Sequence, residues 1–226
     1  MWKKSLLIIT LILIADQVLK FGIKTNMTLG EEINILGNWF IIHFTENEGM
    51  AFGLSFGGIF GKLALSLFRI AAITIIFFYL REIISKKYHK ALIISISLIL
   101  AGAIGNMLDS AFYGLIFSNS SYTTVAKLFP PEGGYGSFLH GKVVDMLYFP
   151  IIQSEYPAWV PIVGGDDFIF FRPVFNIADS SITIGVFILI IFQGKIFRKN
   201  KPTESETLQI EEDENLNTES DSSNPI

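Results

Sequence analysis

The chain has no cysteine among its 226 residues, which excludes thiol nucleophiles, thiolate metal sites and disulfides. Histidine is nearly as scarce. His43, His89 and His140 are scattered and no HExxH occurs, which argues against a zinc peptidase. Charge is also thin, at 17% of residues, and unevenly spread. Residues 202–226 hold eight of the 21 acids and none of the 17 cations, leaving residues 1–201 with 17 cations against 13 acids. This tail, PTESETLQIEEDENLNTESDSSNPI, has no aromatic residue and no apolar period. It cannot bury enough surface to offset its ordering entropy, so it reads as a disordered, solvated cytoplasmic segment.

What is abundant is apolar surface: 50% hydrophobic residues, 14% aromatic, and a mean hydropathy of +0.49. Crossing about 30 Å of hydrocarbon takes roughly 20 helical residues. Four runs approach that length: Ser5 to Ile23, Phe60 to Leu80, Ala91 to Leu108 and Val174 to Phe197. The first follows Lys3 and Lys4 as a signal peptide would. No small-x-small cleavage site follows it, and it is read as a retained helix. The expected fold is an all-α membrane bundle of four transmembrane helices over residues 1–201, with a small extracytoplasmic β element.

Lys and Arg gather at Lys3 and Lys4, between the second and third runs (Arg81, Lys86, Lys87, Lys90), and after the fourth (Lys195, Arg198, Lys199, Lys201). The positive-inside rule makes these segments and both termini cytoplasmic. The two long connections, 24–59 and 109–173, then lie outside. In the first, Ile33 to Phe44 (INILGNWFIIHF) is rich in β-branched and aromatic residues and reads as a strand. In the second, Asp145 sits in a short β-like segment, and Asp166 and Asp167 adjoin a solvated Gly-Gly turn.

Several polar residues interrupt the apolar runs. Asp16 and Lys20 are spaced i, i+4, an order that favours an ion pair; they read either as a structural pair whose lysine snorkels to the interface or as groups that take a direct part in chemistry. Arg69 lies deep in the second run, where an unpaired guanidinium is costly. Asn106 and Asp109, spaced i, i+3, share a face at the outer end of the third, beyond a small-residue surface of Ala101, Gly102, Ala103 and Gly105. Asn176 and Asp179 open the fourth. A carboxylate there reads equally as a functional group or, with Ser180, as an acceptor for orphan helix amides.

Asp16, Asp109, Asp145 and Asp179 thus fall at one membrane depth. Two carboxylates in a confined site cannot both ionise easily, so one keeps a proton while the other acts as base. Such a pair can hydrolyse an amide. The same acids, with Arg69, also suit a small proton- or ion-coupled carrier, although four spans without a repeat fit that alternative less well.

The order of five motifs resembles the lipoprotein signal peptidase (signal peptidase II) family over most of residues 12–185. ADQVLK resembles Asp-x-x-x-Lys, NEGMAF resembles Asn-x-Gly-x-Ala-Phe, GNMLD resembles Gly-Asn-x-x-Asp, VVDM resembles Val-Val-Asp-Phe, and FNIAD resembles Phe-Asn-x-Ala-Asp. The resemblance implies Asp145 and Asp179 as the catalytic pair. It places Asp16, Lys20, Asn47, Gly49, Asn106, Asp109, Asn176 and Ala178 at substrate-binding or supporting positions. The implied substrate is a prolipoprotein whose cysteine bears diacylglycerol, cut N-terminal to that cysteine. The implied setting is the bacterial inner membrane, with the site toward its outer face. The partners are then substrate and lipid, with no nucleic acid, cofactor or metal. One position departs from the family: the arginine usual after Gly-Asn-x-x-Asp is Ser110 here. Lys142 and Arg172 are candidates to replace it.

Overall fold

The structure, a computed structural model, describes residues 1–48, 58–155, 159, 165, 167–170 and 173–196. Helix α1 spans Trp2–Asn26, α2 Gly58–Ser85, α3 Lys90–Leu108 and α4 Ile177–Ile196. All four are long and apolar enough to cross a membrane, α3 together with a helical continuation to Ile116. Leu7, Leu11 and Val18 on α1, Phe68, Ile75 and Phe78 on α2, and Phe187 and Ile191 on α4 are exposed. A soluble domain would bury such surface; lipid tails make it inexpensive to leave outward.

Between α2 and α3 the buried residues Leu80, Ile83, Leu92, Ile93, Ile96 and Leu100 form one core cluster. The contact of α3 with α4 is closer, because it is built on missing side chains. A Cβ on Gly102 would fall 2.2 Å from the Ala178 carbonyl oxygen, and one on Gly105 would fall 2.9 Å from a carboxylate oxygen of Asp16. The expected small-residue surface therefore sets the spacing of three helices. α3 does not stop at Leu108: Asp109–Tyr113 form a π-helical turn, followed by a last helical turn, Gly114–Ile116.

At this end of the bundle sits a four-stranded antiparallel sheet, order β1-β2-β3-β6. It consists of β1 (Glu32–Leu36), β2 (Phe40–Asn47), β3 (Val143–Tyr148) and β6 (Val174–Phe175), while β4 (Ile152–Glu155) and β5 (Asp167–Phe170) form a separate hairpin. The single strand expected over Ile33–Phe44 is instead a hairpin, reversing at Gly37, whose φ of 54° favours glycine. The fourth apolar run likewise begins as strand β6, and the helix starts only at Ile177. Asp167 opens β5 opposite Glu155, two residues after the turn at Gly165.

Between Ile42 and Thr45, β2 advances three residues while β3 advances two, from Leu147 to Asp145. The extra residue makes a bulge in β2 opposite Asp145. Val144 and Met146 are buried in a cluster with Met27, Phe44, Tyr113, Phe117 and Ala126. Strand alternation then turns Asp145 to the opposite face, toward the helix ends. Residues 202–226 and Asp166 lie outside the described residues.

Candidate active site

α1 presents Asp16, Gln17 and Lys20 to the other helices. Lys20 Nζ lies 2.9 Å from Asp16 Oδ2 and 2.7 Å from Asp109 Oδ2, and it donates to Asn106 Oδ1 at 3.0 Å. The lysine is fully buried, so the snorkelling geometry expected for it is not adopted. Its ammonium has three nearby acceptors inside the bundle and no need of the interface.

The other oxygens of these two acids are also engaged. Asp16 Oδ1 accepts from the Ala178 amide at 2.9 Å, and Asp109 Oδ1 accepts from Gln17 Nε2 at 2.9 Å. Gln17 in turn accepts from the Tyr113 hydroxyl at 3.2 Å, and the Val144 amide donates to Asp109 Oδ2 at 3.3 Å. Asp16 and Asp109 are thus buried struts tying α1 to α3, α4 and β3.

Asp145 and Asp179 are held differently, by neutral amides. Asp145 Oδ1 accepts from Asn176 Nδ2 at 2.7 Å and Oδ2 from Asn47 Nδ2 at 2.9 Å. Asp179 Oδ1 accepts from Asn106 Nδ2 at 2.7 Å. Asn176 joins the two halves, since its Nδ2 also lies 3.1 Å from Asn106 Oδ1. It caps α4 reciprocally with Asp179: Asn176 Oδ1 accepts from the Asp179 amide at 2.9 Å, and Asp179 Oδ2 accepts from the Asn176 amide at 3.2 Å. The two readings of Asp179, cap and site residue, therefore both hold geometrically. Ser180 is no acceptor here; its hydroxyl donates to the Asn176 carbonyl at 2.9 Å.

Burial, and next the charge of Asp179, push Asp145 up to about 7, against the lowering effect of its asparagine donors. A carboxyl that keeps its proton near neutrality beside a second carboxylate can supply acid and base to one amide bond.

Of the residues singled out from sequence, Asp16, Lys20, Asn47, Asn106, Asp109, Asp145, Asn176, Ala178 and Asp179 form one hydrogen-bonded network. Gly49 lies outside the described residues, as does Arg172. Lys142 is turned elsewhere, 3.6 Å from Glu46. The histidines stand apart: His43 pairs with Glu32, His89 caps α3, and His140 bonds within its own turn.

Sequence reasoning missed Gln17, although it follows Asp16 directly and lies three residues before Lys20. It also missed Lys24, which continues the Asp16–Lys20 spacing by one further turn. Lys24 is buried against Glu46 and donates to Ser120 Oγ at 2.9 Å.

A family model described as signal peptidase (SPase) II matches residues 8–194. The lipoprotein signal peptidase of Porphyromonas gingivalis (strain W83) is 49% identical over 185 residues, covering 81% of this chain and 80% of that one. That of Amoebophilus asiaticus is 36% identical over 219 residues, covering 96% and 88%. A solved structure described as a bacterial membrane enzyme, determined by the in meso method at 2.3 Å resolution, matches with a TM-score of 0.55 at 28% identity, over 89% of this chain and 95% of that one. A peptidase family fits the paired carboxylates and sets the carrier alternative aside. The chain belongs to the signal peptidase II family, the lipoprotein signal peptidases.

Proposed function

We propose that Asp145 and Asp179 are the hydrolytic pair of this lipoprotein signal peptidase, and that Asp16 and Asp109 hold the site together. The observation that carries this is the contrast in partners. Lys20 neutralises Asp16 and Asp109, whereas among the described residues Asp145 and Asp179 accept hydrogen bonds from asparagine amides and backbone. Asp145 holds the proton, and the Asp179 carboxylate takes one from water as its oxygen attacks the scissile carbonyl. Asp145 then gives its proton to the carbonyl oxygen; as the tetrahedral intermediate collapses, Asp179 passes the water proton to the leaving nitrogen, the C–N bond breaks, and a hydroxyl proton returns to Asp145.

The substrate we assign is a prolipoprotein with a diacylglyceryl-modified cysteine, cut on the N-terminal side of that residue. The site then faces the outer side of the bacterial inner membrane, with both termini cytoplasmic. The cation clusters at Lys3, Lys4 and Arg81 to Lys90 support this orientation.

The test is incubation of purified protein in lipid with such a prolipoprotein, with the products read by mass spectrometry. Asp145→Asn and Asp179→Asn should each abolish cleavage while the protein remains folded and binds substrate. The double variant should lose little more, because residues that act as one unit are non-additive. In the wild type kcat/KM should fall as pH rises past about 7, where Asp145 loses its proton. Substantial turnover by either single variant would sink the assignment.

A further inference from the structure

Ser110 raises a question of charge. Four carboxylates converge on this site, yet Lys20, with its ammonium 2.9 Å from Asp16 and 2.7 Å from Asp109, is committed to two of them. The described residues supply a second cation from an element outside the five motifs. Arg69 on α2 donates from Nη1 to Ser110 Oγ at 3.1 Å, which brings its positive charge within electrostatic reach of Asp109, Asp145 and Asp179.

The surrounding packing fixes this approach. One turn before Arg69, buried Ser66 donates to the Leu139 carbonyl at 2.9 Å. Leu63 and Ile73, on either side along α2, pack against Met107, Ala111 and Leu139. The Ser110 hydroxyl also donates to the Asn106 carbonyl at 3.1 Å, and the Ser110 carbonyl accepts from Gly141 at 2.8 Å. The guanidinium therefore reaches the π-helical turn that carries Asp109, next to the segment leading into β3 and Asp145. A guanidinium suits the place, because it stays charged and offers several donors in one plane.

We propose that Arg69 is a positioning residue of the reaction. From α2 it supplies the positive charge that the family places at position 110, bracing the Asp109–Tyr113 turn and setting the field across Asp145 and Asp179. The inference rests on the assignment of that pair.

Cleavage of a diacylglyceryl-modified prolipoprotein by three variants in lipid tests this. Arg69→Met keeps the length of the stem and removes the charge; kcat should fall on the order of 10- to 100-fold, with KM within about twofold. Arg69→Lys keeps the charge and should stay within about tenfold of wild type. Arg69→Ala combined with Ser110→Arg returns the guanidinium to the family position and should turn over about tenfold faster than Arg69→Met. Thermal unfolding in detergent confirms that each variant is folded. Equal turnover of the Lys and Met variants overturns the inference, because packing alone then accounts for Arg69. A relocated arginine no better than Arg69→Met overturns it as well. Failure of the underlying pair reads out separately, as cleavage by Asp145→Asn or Asp179→Asn.

Discussion

Asp145 links the proposed catalysis to stability at a single residue. Its carboxyl is buried and pushed up to about 7, whereas in the unfolded chain it titrates near the ordinary value of about 3.9. Between those values the folded chain binds a proton that the unfolded chain has released. Stability therefore falls as pH rises through this window, by at most about 1.4 kcal/mol per pH unit. Asp145→Asn does not titrate, so its melting temperature relative to wild type should climb between pH 5 and pH 8. Thermal unfolding in detergent at the two pH values measures this. A difference independent of pH would show that Asp145 carries no such proton. Lys20 teaches the complementary point: the i, i+4 spacing made its pair with Asp16 legible, but its burial depended on Asp109, whose approach no local pattern reveals. Arg69 is more extreme, since its partner Ser110 lies on another helix and became identifiable only through packing.

At the scale of elements, the fold rests on how near α4 comes to α3. The 2.2 Å that would separate a Cβ at position 102 from the Ala178 carbonyl is far below contact distance, and the obstacle is backbone. Gly102→Ala should therefore destabilise the protein by about 1–3 kcal/mol and reduce cleavage, because Ala178 is the anchor for Asp16. Gly22→Ala, where nothing lies within 4 Å, is the control and should be neutral or slightly stabilising. Thermal unfolding of the two variants decides between them; equal behaviour would remove the close-approach argument. The helices were legible because hydropathy and length act locally, and Asp16, Asp109 and Asp179 were legible because each stands in or beside an apolar run. The reversal at Gly37 and the strand over Val174–Phe175 were not. Both are short and apolar, and their pairing partners β2 and β3 are set by the rest of the sheet.

At the scale of the whole molecule, Lys3, Lys4, Arg81, Lys86, Lys87, Lys90 and Lys195 stand at the helix ends away from the sheet. Single cysteines introduced into this cysteine-free chain should report that polarity. Glu132→Cys, at an exposed position near the sheet end, should react with an impermeant maleimide from the outer face, and Lys86→Cys only from the cytoplasmic face. The reverse pattern would invert the proposed orientation.

The order in which the chain is made adds a last consequence. Lys20 can join Asp16 to Asp109 once α1 and α3 are present, before the Val144 and Ala178 amides that complete their hydrogen bonding have been made. Asn176, the Ala178 amide and Asp179 all arrive with the final helix. A growing chain halted before α4 holds Asp145 without Asp179. On the proposed assignment of that pair, proteolytic competence is acquired only when the fourth helix docks.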